Sequence, residues 1–192
     1  MPAWLAVGLG NPGSRYEGSR HNAGRRSVEG LAGRLGSKMG SSKAPARVAE
    51  TSSDGVRLIL AAPTTYMNES GRAVASLTAY YRIDPEFLIV VHDEIDLPAG
   101  VLRVKRGGGS AGHHGIESVT NALKTRDFYR VRIGVGRPSS PLQDPTGFLL
   151  QQVSKQEASE LAKAEERAGE AVLSLIHSGL DATRNRFNAA PE

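Results

Sequence analysis

The sequence of 192 residues contains no cysteine, which excludes disulfide bonds, thiolate-bound metal sites and a cysteine nucleophile. Long hydrophobic runs are also absent: the apolar segments, such as 87–91, are of strand length and fall far short of the ~20 residues that a membrane-spanning helix needs. The first residues show neither the basic head nor the cleavage site of a signal peptide. We therefore expect a cytoplasmic protein with no membrane partner.

The composition that remains suits one globular domain, with 39% hydrophobic residues and a net charge of +4. The charge is unevenly distributed along the chain. Residues 1–50 hold eight basic and three acidic side chains, whereas 155–170 hold five glutamates and three basic side chains. One basic side with an acidic opposite end suits a polyanion such as RNA. A solvated basic surface would give the same composition, so the charge alone leaves both interpretations open.

Strand-like and helix-like segments alternate along the chain. Segments 3–9 and 87–91 are typical of buried strands, and 129–135 alternates apolar residues with arginines, which predicts a strand with one polar face. Ser154 followed by Glu157 forms a capping box that opens a long helix. We also expect strands at 47–50, 56–62 and 101–104, helices at 22–35 (capped by Asn22), 70–81 and 115–124, and a loop at 138–147. This alternation predicts a layered α/β domain with a mixed sheet.

Most of the histidines lie in predicted loops or at predicted strand ends. In an open α/β sheet, ligands bind beyond the carboxyl ends of the strands. The first strand leads to Asn11 and the central strand to Asp93, so residues from separate segments can converge on one crevice. A single histidine is more often structural, but several beside a carboxylate indicate a site. Four of the five histidines belong to this group: His21, His92, His113 and His114.

Two glycine patterns resemble nucleotide-binding motifs without completing them. Residues 8–13 fit G-x-G-x-x-G after a strand, but Pro12 intervenes, the next helix begins only near residue 22, and no acidic residue ends a second strand ~20 residues further on, as ribose binding requires. Residues 107–112 resemble half of a P-loop, but His113 and His114 replace the Lys-Ser/Thr pair. This second loop could present backbone N–H groups to a phosphate, or it could simply be flexible.

Four motifs follow one another along the chain. They are 7–13 (VGLGNPG) with Tyr16 and 20–24 (RHNAG), 63–71 (PTTYMNESG), 92–100 (HDEIDLPAG) and 107–115 (GGGSAGHHG). In content and order they resemble the signatures of bacterial peptidyl-tRNA hydrolases, and the resemblance extends from about residue 4 to 187. Each motif alone is moderately specific, and the four together are strongly so.

The resemblance implies both a fold and an activity. The implied fold class is α/β, a single three-layer α/β/α domain over 1–192 with a mixed, mostly parallel twisted sheet. Within it, 138–150 would form a lid-like loop and 154–187 the C-terminal helices, both folded over the crevice. The implied reaction is hydrolysis of the ester bond between a peptide, or an N-blocked amino acid, and the 3′-terminal ribose of tRNA. It would release free tRNA from stalled or dropped-off peptidyl-tRNA.

The resemblance also assigns catalytic roles. His21 matches the general base, and a neutral imidazole can take a proton from water. Asp93 matches the carboxylate that orients this imidazole and stabilises the imidazolium, as the third member of a triad does. Asn11 resembles the residue that helps to reject substrates with a free α-amino group, although an Asx turn before Pro12 is its structural alternative. Water would attack directly, without a serine or cysteine nucleophile.

The remaining contacts follow from the same resemblance. The peptide end and the terminal nucleotide would meet Asn68, His113 and His114, in a pocket lined by Tyr16, Tyr66 and Met67. The candidates for holding tRNA phosphates, which set affinity and its salt dependence without reading sequence, are Lys105, Arg106 and Arg132. We expect no metal and no other cofactor. The acceptor end of peptidyl-tRNA is the expected partner of a monomer that needs no other protein.

One position departs from the family, which usually has His-Asn-Gly where this chain has His-His-Gly at 113–115. A carboxamide offers donors and an acceptor, whereas neutral imidazole offers one of each, so the contacts of His114 stay open. Two other classes of function also remain. A non-catalytic RNA-binding relative, like the splicing factors that share this fold, is disfavoured by the intact His21 and Asp93. A metal-dependent hydrolase is disfavoured because no H-E-x-x-H or similar spacing occurs.

Overall fold

A mixed sheet of seven strands forms the middle layer of the molecule, in a computed structural model that describes residues 1–188. The strands are β1 (Trp4–Gly8), β2 (Gly40–Ser41), β3 (Ala46–Ser53), β4 (Val56–Pro63), β5 (Leu88–Glu94), β6 (Leu102–Arg106) and β7 (Tyr129–Gly134). They are arranged in the order β2-β3-β4-β1-β5-β7-β6. The central neighbours β4, β1, β5 and β7 run parallel, and the outer pairs are antiparallel. The predicted mixed α/β sheet is confirmed.

Helices cover both faces of the sheet. They are α1 (Ala23–Arg34), α2 (Ser70–Tyr81), α3 (His114–Leu123), α4 (Pro145–Leu150) and α5 (Lys155–Phe187). On one face, α1 and α5 bury residues such as Leu31 and Val172 against the sheet. On the other, α2 and α3 bury Leu77 and Val119. The three-layer α/β/α arrangement expected from the sequence is therefore confirmed. In the part of the chain that the structure describes, no helix has the length and apolarity to cross a membrane.

Strand β5 is buried along its whole length. Its first residues are apolar and meet a core on each face, as in parallel sheets that helices cover on both sides. Its last three residues are His92, Asp93 and Glu94, which are polar and still at most 4% exposed. Because buried polar groups need hydrogen-bond partners, this strand end must be surrounded by other polar groups.

Helix α5 bends at Gly179, whose φ of 78° lies in the left-handed region. The Thr183 hydroxyl donates to the Gly179 carbonyl oxygen (2.7 Å), which satisfies a backbone acceptor at the bend. The helix then reaches the outer edge of β6. There the carboxamide of Asn188 accepts from the Val104 N–H (2.7 Å) and donates to the Val104 carbonyl oxygen (3.2 Å). The end of α5 thereby occupies backbone groups that an edge strand otherwise leaves open.

Three local predictions differ from the structure. Asn22 stands at the start of α1 but makes no side-chain capping bond. The Ser154 side chain accepts from the Glu157 N–H as expected, but both carboxylate oxygens of Glu157 accept from Arg20 and not from the Ser154 backbone. The segment 138–147, predicted as a loop, contains the start of α4. In the first two cases a partner distant in sequence takes the side chain.

Candidate active site

A cleft of about 520 Å³ opens beyond the carboxyl ends of β1 and β5. Parallel strands that end at one edge of a sheet bring their following loops together there. Residues from five separate segments of the chain line this cleft. All nine residues predicted for catalysis or substrate contact are among them: Asn11, Tyr16, His21, Tyr66, Met67, Asn68, Asp93, His113 and His114.

Gly24 allows the start of α1 to approach the end of β5. A side chain at this position would collide with the carbonyl oxygen of Val91. The 3-10 turn Arg20–Asn22 immediately precedes α1, so close packing of the helix on β5 brings His21 to Asp93. The spacing of three residues between His21 and Gly24 thus has a steric reason. The glycine lets the start of α1 pack closely on the end of β5.

Asp93 joins two histidines through its two carboxylate oxygens. His113 caps α3, where its Nδ1 accepts from the N–H groups of Gly115 (3.1 Å) and Ile116 (3.3 Å). A nitrogen that accepts carries no proton, so His113 bears its proton on Nε2 and donates it to Asp93 Oδ1 (2.9 Å). His21 donates from Nδ1 to Asp93 Oδ2 (2.8 Å). The Nε2 of His21 therefore remains an acceptor, on a residue that lines the cleft.

Asp93 and His21 form a pair in which the carboxylate stays ionised. Burial alone would raise the pKa of Asp93, but the two imidazoles of His21 and His113, which donate to its oxygens, outweigh it and hold that pKa well below its usual range. Burial alone would lower the pKa of His21, but Asp93 outweighs it and raises that pKa above the ordinary 6.5. A proton taken up by the pair therefore stays on His21.

Asn11 has a defined orientation. Its Oδ1 accepts from the N–H of Met67 (2.7 Å), which leaves the Nδ2 amide group as the donor of a side chain that lines the cleft. Its backbone is held by Asn22, whose Oδ1 accepts from the Asn11 N–H (2.8 Å) and whose Nδ2 donates to the Asn11 carbonyl oxygen (2.9 Å). This is why Asn22 does not cap α1. The sequence analysis gave an Asx turn before Pro12 as the structural alternative for Asn11. In the structure the side-chain oxygen of Asn11 instead accepts from the N–H of Met67, in a distant segment.

The sequence analysis grouped His92 with the site histidines and placed Arg130 on a polar strand face, but it did not foresee that the two form a buried pair behind the site. His92 Nδ1 donates to the Asp93 carbonyl oxygen (2.7 Å), and its Nε2 accepts from Arg130 Nε (3.1 Å). Arg130 also donates to the Gly109 carbonyl oxygen (2.7 Å). Burial, helped by nearby positive charge, lowers the pKa of His92 well below its usual range, so this imidazole stays neutral. The pair connects β5 to the glycine-rich loop 107–112.

Arg20, also missed, fastens α4 beside the predicted base. Its Nε and Nη2 donate to the two carboxylate oxygens of Glu157 (2.7 Å each), and its Nη1 donates to the Phe148 carbonyl oxygen (2.9 Å). The guanidinium carbon lies 3.8 Å from the centre of the Phe148 ring. Because Arg20 directly precedes His21, these contacts hold α4 next to the base. Position beside His21 was the one signal for it in the sequence.

The remaining cleft residues surround its opening. Met67 is buried and Tyr16 is half-buried, whereas Tyr66 and Asn68 are exposed. The His114 side chain is 72% exposed at the first turn of α3, with its Nδ1 3.4 Å from Glu117 Oε2. These exposed groups are free to meet a large substrate. His113, in contrast, has both ring nitrogens engaged, so only its ring edge remains for contact with a substrate.

Four basic residues share one face of β6 and β7, which we call the cationic face: Arg103, Lys105, Arg130 and Arg132. Arg103 lies opposite Arg132, and Lys105 opposite Arg130, so their side chains are on the same side of the sheet. Arg130 points inward to His92 and is 1% exposed, so the predicted polar face of β7 is covered at this position.

Arg106 is separated from the cationic face by the alternation of side chains along β6. Its guanidinium makes two hydrogen bonds to Asp127 (2.6 and 2.9 Å) and lies over the Tyr129 ring. Of the three residues predicted to hold phosphates, the structure therefore brings Lys105 and Arg132 together and engages Arg106 elsewhere.

Comparison with known proteins gives consistent matches. The model of a family described as peptidyl-tRNA hydrolase matches residues 5–192. The peptidyl-tRNA hydrolase of Frankia alni is 48% identical over 186 residues, covering 97% of this chain and 94% of that protein. That of Kineococcus radiotolerans is 43% identical, covering 97% and 98%. The crystal structure of peptidyl-tRNA hydrolase from Acinetobacter baumannii superposes with a TM-score of 0.88 at 37% identity, covering 97% of this chain and 95% of that one.

Proposed function

This chain belongs to the peptidyl-tRNA hydrolase family, and we propose that it hydrolyses the ester between a peptide and the 3′-terminal ribose of tRNA, with His21 as general base and Asp93 as its orienting carboxylate. One observation carries the assignment of roles. The Nδ1 of His21 lies 2.8 Å from a buried carboxylate, which leaves Nε2 as a proton acceptor on a residue that lines the cleft. A base within reach of the cleft and held in one tautomer is what activation of water requires.

The reaction follows from this arrangement. His21 Nε2 takes a proton from water as the water oxygen forms a bond to the ester carbonyl carbon, which gives a tetrahedral oxyanion. The oxyanion collapses, the bond to the ribose 3′-oxygen breaks, and the imidazolium returns its proton to that oxygen. Asp93 stabilises the imidazolium without taking the proton, because its pKa stays well below its usual range.

Donors for the oxyanion are available at two positions. The Nδ2 group of Asn11 is fixed in direction because its Oδ1 is held by Met67. Asn68 lines the same cleft and is exposed. Donors that are oriented before the reaction stabilise the developing charge without the cost of reorganisation. We assign Asn11 to this role. We also assign it to discrimination against substrates with a free α-amino group, because its Nδ2 group is a donor and cannot accept a hydrogen bond from a charged ammonium group.

The remaining substrate contacts divide between the cleft and the cationic face. Tyr16, Tyr66, Met67 and His114 line the region where the peptide end and terminal nucleotide would lie. Lys105 and Arg132 would hold phosphates. Burial and neighbouring positive charges lower the pKa of Lys105, which means that cations are gathered there without matching anions. Such a surface favours a polyanion.

We also propose that the reaction needs no metal ion. Among residues 1–188, His21, Asp93 and His113 offer ligand atoms close enough together to hold one. However, the Nδ1 of His113 accepts two backbone N–H groups, so coordination through Nε2 would require the doubly deprotonated imidazolate. Its cap on α3 therefore opposes metal binding. Turnover should be unchanged after treatment with a chelator, and loss of turnover that Zn²⁺ restores would contradict this proposal.

The test of the function is hydrolysis of N-acetyl-aminoacyl-tRNA, compared with the same aminoacyl-tRNA carrying a free amino group. The expected result is rapid release of tRNA from the first and little from the second. A non-catalytic RNA-binding protein would instead bind both and release neither. We further propose that a monomer acts in the cytoplasm. Among the described residues, the large exposed apolar side chains are the scattered Met1, Tyr66, Tyr80 and Leu142, which form no obvious subunit interface.

A further inference from the structure

The cationic face has one carboxylate close to it in the described part of the chain, that of Glu94. The charges of Glu94 and Arg103 both act on the pKa of Arg132. The charges of Arg130, Arg132 and Glu94 act on the pKa of Lys105, so these side chains form one electrostatic cluster. Burial is the main reason that the pKa values of Lys105 and Arg132 are lowered. The cluster therefore contains four partly dehydrated cations and a single anion.

The ion pair between Glu94 and Arg132 is loose. Its shortest distance, from Glu94 Oε1 to Arg132 Nη1, is 3.6 Å, which is longer than a good hydrogen bond. The Nε of Arg132 is buried and has no partner in the described residues. By comparison, the buried guanidinium of Arg20 makes a two-point contact with a carboxylate at 2.7 Å. Within residues 1–188, Arg132 thus has Glu94 as its one ion-pair partner and makes no close hydrogen bond to it.

Glu94 itself stands between two regions. It is 4% exposed at the end of β5, it faces Arg132 on one side, and it lines the catalytic cleft on the other. Burial raises the pKa of Glu94 because it disfavours the charged carboxylate, and the nearby Arg132 and Arg130 partly offset this effect. A carboxylate in this position is a natural rival for any phosphate that approaches Arg132.

We propose that Glu94 is an internal competitor of the tRNA phosphate at Arg132, which limits the affinity of the cationic face and so speeds the departure of the tRNA product. When a phosphate binds, its oxygens accept from the Nη groups of Arg132 and the loose contact with Glu94 is given up. When the ester has been cleaved, Glu94 takes Arg132 back as the phosphate leaves. This inference rests on the proposed function, since it takes Arg132 as a phosphate-binding residue.

The test compares the affinity for deacylated tRNA of wild type and of Glu94→Gln, which keeps the shape of the side chain and removes its charge. The expected result is binding about fivefold tighter, the strength of an ordinary charge pair. Steady-state turnover at saturating substrate should fall, because tRNA release becomes slower. The single-turnover rate should be unchanged, because the chemistry at His21 does not use Glu94.

The control is Glu86→Gln, which makes the same change in net charge at an exposed position before the start of β5, at the opposite end of that strand. It should bind tRNA like wild type. Glu94→Asp, one methylene shorter, withdraws the charge from Arg132 and should give intermediate tightening. In an Arg132→Ala background, Glu94→Gln should change the affinity for tRNA no more than Glu86→Gln does, because the guanidinium for which Glu94 and the phosphate compete is absent.

Three results would overturn the inference. One is a folded Glu94→Gln variant that binds tRNA no more tightly than Glu86→Gln. The second is a tightening that persists in the Arg132→Ala background, and the third is a slower single-turnover rate. Each of these leaves the proposed function standing as long as the wild type hydrolyses N-acetyl-aminoacyl-tRNA. A wild type that does not hydrolyse it overturns both.

Discussion

Asp93 connects the chemistry of the site to its architecture at the scale of single residues. One of its oxygens holds His21, whose other nitrogen is left free as an acceptor, and the second holds His113, whose other nitrogen caps α3. The position of α3 and the tautomer of the base therefore depend on the same carboxylate. His113 therefore links the base to α3, and the substrate contact that its motif predicts stays a prediction for its ring edge, which lines the cleft.

The pH dependence of the enzyme tests this arrangement. His21 must be neutral to accept a proton, and its pKa is raised above 6.5, so kcat/KM should fall as the pH drops through a value above 6.5. In Asp93→Asn the raising charge is lost and burial remains, so this acid limb should move to lower pH while turnover falls by ~10²-fold or more. An acid limb that does not move in the variant would show that another group controls it.

His114 is the residue at which this chain departs from its family. Its side chain is 72% exposed and its one contact, to Glu117, is long, so the protein does not depend on the imidazole for its fold. His114→Asn should therefore keep the thermal stability and at least the wild-type kcat/KM on N-acetyl-aminoacyl-tRNA. A large loss of kcat/KM with unchanged stability would mean that the substrate contact has been rebuilt around imidazole.

The elements of the fold could largely be predicted from the sequence, whereas their connections could not. Periodicity gave the central strands and most helices within a few residues, and the resemblance to peptidyl-tRNA hydrolases supplied the nine residues that the structure brings to the cleft. Side chains whose partners are remote were misjudged. Asn22 bonds to Asn11 instead of capping its helix, and Glu157 binds Arg20 across 137 residues. Local propensity contains no information on such pairings, because each becomes available only after the sheet has formed.

The anchoring of α4 by Arg20 leads to a prediction. Arg20→Met should remove three hydrogen bonds while keeping most of the side-chain volume, and it should lower the unfolding free energy by about 2 kcal/mol. Hydrogen exchange of 145–150 should become faster, and kcat/KM should fall because α4 no longer stays beside His21. Lys163→Met is the matched control, since it removes an exposed ion pair of α5. Equal effects of the two variants would contradict the anchoring role.

Positive charge is unevenly distributed over the whole molecule. The sequence indicated this unevenness but not which basic residues share one surface. The cationic face concentrates basic groups on one side of β6 and β7, close to the cleft, and Lys105 and Arg132, which the sequence analysis singled out, lie within it. The sequence could not show that Arg106 faces the other way or that Arg130 is internal. The reason is that a run of basic residues along a strand alternates between the two faces of a sheet.

Salt dependence separates these residues. Lys105→Ala and Arg132→Ala should each raise KM and lower the slope of log K against log salt for tRNA binding by roughly one. Arg106→Ala should change both much less, because its guanidinium is already engaged by Asp127. Equal effects of all three variants would place the phosphate contacts elsewhere than on the cationic face.

Turnover of N-acetyl-aminoacyl-tRNA by His21→Ala tests whether His21 activates water for the cleavage of peptidyl-tRNA. We expect a loss of ~10²–10⁴-fold in turnover with unchanged affinity for tRNA. His177→Ala, which removes an imidazole that contacts Ser53 and does not line the cleft, should retain wild-type turnover. Turnover by His21→Ala close to that of the wild type would contradict this role of His21.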